Sequence, residues 1–324
     1  MARIEPTGDI KKFDNGVEVY KAKLIYDDLA IDYPVSVRSV PVDLVEVLNI
    51  EERYFGKARN EAGKGVLPGV RTLEQDNRQL FIYEQFDYDL EKFAKSLVQP
   101  VIRTDGEMEI NLKLVIRRIL YLLHKLHYEL RVVHGNLIGH LTKECNIVIS
   151  EPRNGEFLVR LSCFGGEQDD CNDLYELLSR ITVPADPVPI PSWFDTIMNS
   201  LWNRSIRNLY NSLGLLTAKQ KFEYFWRADD MVENLPLVKK HLNGAFPRKA
   251  WINEVQKDSN FLKVLENEGK GRIPRDEKAS TFLHFCRNLT FHYKEYKGKK
   301  VVSKKYKGKK VVYPKDDAAV YKKL

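Results

Sequence analysis

Between Asn111 and Leu130, apolar residues recur at 112, 115, 116, 119, 120, 123 and 126. This is the spacing of one face of an α-helix. A helix of this length runs about 30 Å, and its stripe must be buried along that length. The chain leaves it through VVHGNLIGHLTKE and enters CNIVIS, a short apolar run that reads as a strand. EFLVRLSC reads as a second strand, joined to the first by PRNGE, a hairpin turn. A long core helix feeding a polar loop and then a hairpin points to an α+β fold.

The flanking segments fit that class. VEVYKAKLIY and YPVSVRSVPV, within residues 10 to 40, alternate with period two and are rich in Val, Ile and Tyr, which predicts strands. VDLVEVLNIEERYFGKARN predicts a helix, EAGKGVLPG a glycine-rich turn, and RQLFIYEQF a buried strand. DYDLEKFAKSLVQ and NDLYELLSRI read as helices, and the prolines of VPADPVPIPSW stop regular structure. From 192 to 292 helical patterns dominate.

Composition bounds the function. With 324 residues, 43% hydrophobic and 30% charged, the chain can form more than one compact unit. No run of 18 apolar residues occurs, so no membrane span is expected. MARIEPTGDIKKFDNG has no apolar core of a secretory signal. The four cysteines, Cys145, Cys163, Cys171 and Cys286, form no CxxC pair, which suits free thiols in a reducing, cytoplasmic setting. The net charge of +7 is misleading until located. Twelve lysines against three acids lie from Lys294 onward, so the body before that point is weakly acidic. YKGKKVV occurs at 296–302 and again at 306–312. The repeat reads as a solvated tail, or alternatively as a salt-dependent, sequence-blind contact to RNA phosphates.

The order His134, Asn136, Asn146, Cys163, Gly165, behind the long helix, resembles the catalytic loop and metal-binding turn of a protein kinase over residues 10 to 220. VSVRS stands where kinases carry the phosphate-binding lysine, and the candidate is Arg38. The resemblance implies a bilobal kinase-like fold with a sheet-rich N-lobe over 1–90 and a mainly helical C-lobe over 91–218. The departures matter chemically. Asn136 cannot accept the proton of a substrate hydroxyl. Neutral Cys163 is a poor magnesium ligand. Asn146 lies ten residues after Asn136, twice the kinase interval. Only Gly16 stands in the loop that would cover nucleotide, and no ordinary activation segment fits between Gly165 and Asp173. The expectation is a pseudokinase with His134 retained for packing and hydrogen bonding. Arg38 and Asn146 would line a degenerate nucleotide pocket. ATP or ADP is the ligand such a pocket implies, without support from these residues, and no cofactor is required.

Past residue 215, LLTAKQKFEYFWRADDMVENLP, AWINEV and FLHFCRNLTFHYKEY form a series resembling the kinase-extension nuclease domain. That domain occurs in ribonuclease L and in the inositol-requiring kinase–endoribonuclease of the unfolded-protein response. RNLTFHY is the most specific block, with Trp251 a further landmark. The resemblance implies an all-helical nuclease-like domain over 219–296 followed by the lysine repeat at 297–324. It assigns Arg287, Asn288 and His292 to a metal-independent site. Such a site uses the ribose 2′-hydroxyl as nucleophile and leaves a 2′,3′-cyclic phosphate. Arg287 forks onto the phosphate and His292 is the acid. Phe282, Phe285 and Leu289 form the packing stripe. The family's other polar contacts are missing: no tyrosine lies between Phe225 and Tyr293, and the aspartate position reads Thr281. Asp276 substitutes only if its loop folds back.

The expectation is thus a pseudokinase fused to an endoribonuclease-like domain acting on RNA in stress signalling, as a dimer in the family's manner. The alternative is a catalytically dead protein that pairs with a related sensor kinase/endoribonuclease and tunes it. Such pairing would bring it to the cytosolic face of the endoplasmic reticulum.

Overall fold

The computed structural model describes residues 2–26, 31–60, 65–98, 100–102, 107–139, 144–151, 157–163, 165–182, 190–245, 252, 278–296, 302–306 and 309–313. The chain is mixed α+β and divides into two compact units, 1–215 and 216–324. No helix among the described residues is long and apolar enough to cross a membrane.

The first unit opens with β1 (Ala2–Pro6), β2 (Lys11–Lys12), β3 (Glu18–Tyr26) and β4 (Ile31–Pro41), followed by helix α1 (Val45–Asn60). Strands β5 (Gly69–Gln75) and β6 (Arg78–Glu84) complete an antiparallel sheet ordered β1-β3-β4-β6-β5, with β2 also on β3. Strand β4 is central. Val35 and Val37 join Ile4, Ala22, Leu24, Leu80 and Ile82 in a cluster on one face. Val40, Phe81 and Tyr83 belong to the larger core. Helix α1 buries Glu51, Tyr54, Phe55 and Ala58, one helical stripe, and Phe55 meets Phe81 and Tyr83 ring to ring.

Next come β7 (Tyr88–Asp89), α2 (Leu90–Ser96) and α3 (Ile110–His124), which continues through a π-turn at Lys125–Glu129. The Asp89 carboxylate caps α2 by accepting from Lys92 N–H at 2.7 Å. Helix α3 buries Leu112, Val115, Ile116, Ile119, Leu120 and Leu123, the stripe its periodicity predicts. Each such side chain is worth about 1.5–3 kcal/mol on burial, which makes this helix the axis of the unit. Strands β8 (Ile147–Ser150) and β9 (Leu158–Leu161) pair antiparallel, with β7 on β8. Helices α4 (Asp170–Thr182) and α5 (Ser192–Trp202) close the unit, followed by two 3-10 turns.

The second unit contains α6 (Ala218–Asn234), α7 (Pro236–Ala245) and α8 (Ala279–Tyr296). Thr217 and Gln220 form a reciprocal capping box that starts α6. Phe222, Phe225 and Val232 of α6 are buried, as are Phe285, Cys286 and Leu289 of α8. Phe282 is only half-buried, so Cys286 takes its place in the packing stripe. The lysine-rich end is not wholly irregular: β10 (Val302–Tyr306) and β11 (Lys309–Tyr313) pair antiparallel. Its Val and Tyr residues have high strand propensity, although a lone two-stranded hairpin is marginally stable. All four cysteines are free and buried.

Candidate functional site

Two polar centres stand out, one in each unit. In the first unit a cleft of about 360 Å³ is lined by Val19, Arg38, Tyr83, Glu144, Asn146 and Cys163, among others. Arg38 projects from β4. Its Nη1 lies 3.1 Å from Glu51 Oε1 of α1, and its Nη2 donates to Asn146 Oδ1 at 3.4 Å. Asn146 Nδ2 in turn donates to the Asn136 carbonyl at 2.7 Å, and Asn136 Nδ2 donates to the Cys163 carbonyl at 2.9 Å. Both asparagines are buried, and their amides hold the loops together. Burial pushes the Cys163 thiol up to about 12, so it stays neutral. Cys163 sits at φ +53 and Gly165 at φ +113, and Gly165 N–H donates to the His134 carbonyl at 3.0 Å.

His134 is wholly enclosed. Its Nε2 lies 2.9 Å from the Ser162 carbonyl, and its Nδ1 is 3.2 Å from the Asn136 N–H. A carbonyl requires a donor and an N–H requires an acceptor, so the ring is the neutral Nε2–H tautomer. Burial also lowers its pKa. The anchor of this loop is Asp170, at the start of α4. It accepts from His134 N–H at 2.8 Å and Gly135 N–H at 2.6 Å, and its Oδ2 lies 2.7 Å from His127 Nε2. Burial pushes this carboxyl upward, yet the bonds from His127 and the two backbone amides outweigh it and leave the pKa lowered. Gly135, at φ +71, faces the Gly166 carbonyl so closely that a Cβ would lie 2.2 Å from its oxygen. Only glycine fits there.

The Asn146 oxygen accepts from a guanidinium, and the Cys163 thiol is protonated. Arg38 is paired with Glu51, Lys11 with Glu144 at 2.5 Å and Lys92 with Asp89 at 3.1 Å. Three of the four lysine and arginine side chains lining the cleft are therefore already paired with carboxylates, Lys21 being the fourth.

The second centre joins α6 and α8. Asp229 of α6, almost fully buried, receives Arg287 Nη1 on Oδ2 at 2.7 Å. His284 Nδ1 lies 3.3 and 3.2 Å from the two Asp229 oxygens and 3.3 Å from Glu233 Oε1. The Arg287 guanidinium carbon sits 4.8 Å from the Trp226 ring centre, a cation–π distance. Positions 226, 229 and 233 lie on one face of α6; 284 and 287 are one turn apart on α8, so the two faces meet at Asp229. Burial raises the Asp229 carboxyl, but bonds from His284 and Arg287 override this and lower its pKa. The bond to Asp229 raises the pKa of His284. Asp229, Glu233 and His284 bring three ligand atoms within 4.8 Å of one another. The Arg287 guanidinium occupies Asp229, so the cluster is a network of two carboxylates, one guanidinium and one imidazole, balanced in charge when His284 is protonated.

Of the residues expected to act here, Arg287 faces this cluster and Asn288 is half-buried beside it. His292 lies on α8, though its side chain is outside the described residues, as are Trp251 and Asp276. Asp170, Asp229, Glu233 and His284 escaped the sequence reading. An acid at a helix start and a histidine three residues before Arg287 were the only available signals. No protein-family model matches the chain, and no curated protein matches it.

Proposed function

We propose that this chain is a kinase-like unit without phosphotransfer chemistry, joined to a metal-independent endoribonuclease unit acting on RNA. The bilobal kinase-like arrangement is part of this reading. Its support lies in the Arg38–Glu51 pair between β4 and α1 and in the Asp170-anchored loop before β8. Asn136 is an amide where such a unit needs a proton-accepting carboxylate, and the Asn146 oxygen accepts from Arg38 where it would bind a metal. The observation that carries the nuclease reading is the α6–α8 cluster. There a guanidinium and an imidazole, each roughly a quarter exposed, are held by one buried carboxylate. Such a pair can stabilise charge on a phosphodiester and move a proton.

A stem-loop RNA incubated with the full chain in EDTA is expected to yield 2′,3′-cyclic phosphate ends. His292→Ala is expected to slow the reaction about 10²–10⁴-fold. Absence of cyclic-phosphate product at every concentration that dimerises would sink the reading.

One observation favours a second reading. Arg287 already has a carboxylate partner in Asp229, so a phosphate must compete for it. In that reading the chain is a regulatory partner of a related sensor kinase/endoribonuclease. It would then co-purify with the full-length sensor and alter its RNA splicing. No retention, together with unchanged splicing, would eliminate that role.

A further inference from the structure

We propose that His284, oriented by Asp229, is the proton acceptor for the ribose 2′-hydroxyl in this reaction. The inference rests on the nuclease reading above and supplies the base that it lacks. Thr281 stands where the resemblance led to an aspartate, and it is buried; a threonine hydroxyl is a poor base at neutral pH.

The geometry has three parts. His284 Nδ1 is engaged by Asp229 and approached by Glu233. Among the described residues no hydrogen bond is made by Nε2, and the side chain is 29% exposed. With Nδ1–H donated to a buried carboxylate, the neutral ring carries its lone pair on Nε2, on a side chain that is partly open to solvent. This is the arrangement in which a carboxylate fixes the tautomer of an imidazole base.

Next is the spacing along α8. Residues 284, 288 and 292 are successive i+4 positions, so 284 and 292 are about 12 Å apart along the axis. Arg287 and Asn288 lie between them. In-line displacement at phosphorus needs a base on the 2′-oxygen side and an acid on the 5′-oxygen side, with the phosphoryl oxygens held between. A hydrogen-bond reach of about 2.6–3.2 Å at each end plus two P–O bonds spans most of that interval.

The third part is charge. Arg287 and His284 share Asp229, so a phosphate approaching Arg287 arrives next to the imidazole. The charged groups acting on His284 are Asp229 and Glu233 from α6 and Arg287 from α8. The step balances. The 2′-hydroxyl proton passes to His284 Nε2 as the O2′–P bond forms. The P–O5′ bond breaks, and His292 donates a proton to the leaving oxygen. The products are a 2′,3′-cyclic phosphate and a 5′-hydroxyl, and the two imidazoles end with their protonation exchanged.

The test compares the full-length chain with His284→Ala, His284→Gln and His292→Ala on stem-loop RNA in EDTA, with thermal melts of each. His284→Ala and His284→Gln are expected to lose about 10²–10⁴-fold in kcat/KM. Added imidazole should restore part of the His284→Ala rate in proportion to its concentration. The acid limb of the pH–rate profile should flatten in His284→Gln. A structural role would not produce imidazole rescue. If His284→Ala cleaves within about tenfold of wild type while His292→Ala does not, the base assignment is overturned and the nuclease reading stands. Loss of activity without rescue, with the acid limb unmoved, also overturns the assignment. A wild-type chain that produces no cyclic phosphate overturns both.

Discussion

Asp170→Ala is expected to lower the stability of the first unit by about 3–5 kcal/mol, the usual cost of removing one partner from a buried charged network. Asp170 has no exposed side-chain surface and satisfies three donors: the amides of His134 and Gly135 and the ring of His127. Alanine leaves those two amides without an acceptor in a site closed to water, and each orphaned group costs about 1–3 kcal/mol. Against a typical total of about 5–15 kcal/mol, the loss approaches the threshold of folding. The loop 132–139 should loosen first at His134 and Gly135, whose amides Asp170 holds directly. The sign of the pH dependence follows from the lowered carboxyl. Asp170 contributes stability above the ordinary carboxylate range, about 3.9, and that contribution disappears as pH falls through its folded value. Urea melts between acidic and neutral pH should show wild type gaining stability with pH and Asp170→Ala gaining much less. Equal midpoints for the two proteins at pH 7 would refute this account.

Much of the fold was legible where one element's own residues decide it. The α3 stripe appears in the periodicity, and its burial follows. The β8–β9 hairpin was announced by PRNGE between apolar runs. Strand β1 was not legible, because ARIEP is short and polar and becomes a strand only through its pairing with β3, Ile4 opposite Leu24. Strand β5 was missed for a similar reason: its sequence VRTLEQ is half polar and its order comes from β6. The site was legible only in part. Arg287 and Asn288 stand out as a sequence block, but the carboxylate that decides what Arg287 does lies 58 residues away. His284 was overlooked because the Arg–Asn block draws attention to His292, and because nothing local indicates that Asp229 will face it. Long-range electrostatic partners leave no periodic trace; they become visible only once two helices pack.

Asp229→Ala should have a comparable effect in the second unit and should also weaken the dependence of its stability on pH. Asp229 is 1% exposed, and it holds two groups on α8 at once. Removing it strands Arg287 and His284 at a packed interface, again a cost of about 3–5 kcal/mol. In the wild type two opposite titrations bracket its best range. The lowered Asp229 carboxyl stabilises above about pH 3.9 and loses that effect as pH falls through its folded value. The raised His284 imidazole stabilises below about pH 6.5, with the effect lost as pH climbs through its folded pKa. The α6–α8 contact should therefore be tightest in mildly acidic solution and loosen towards pH 8. Asp229→Asn keeps the shape but removes the anion. His284 then keeps only the half-exposed Glu233 carboxylate to favour its charged form, and its titration pulls far less on the fold. Hydrogen exchange of α8 amides measures this directly: in wild type, protection should decline from pH 6 to pH 8 after correction for intrinsic rates, and in Asp229→Asn it should be lower throughout and nearly flat. A variant that retained the wild-type slope would show that Asp229 is not the group that sets it, and the balanced-cluster description of the second centre would fail with it.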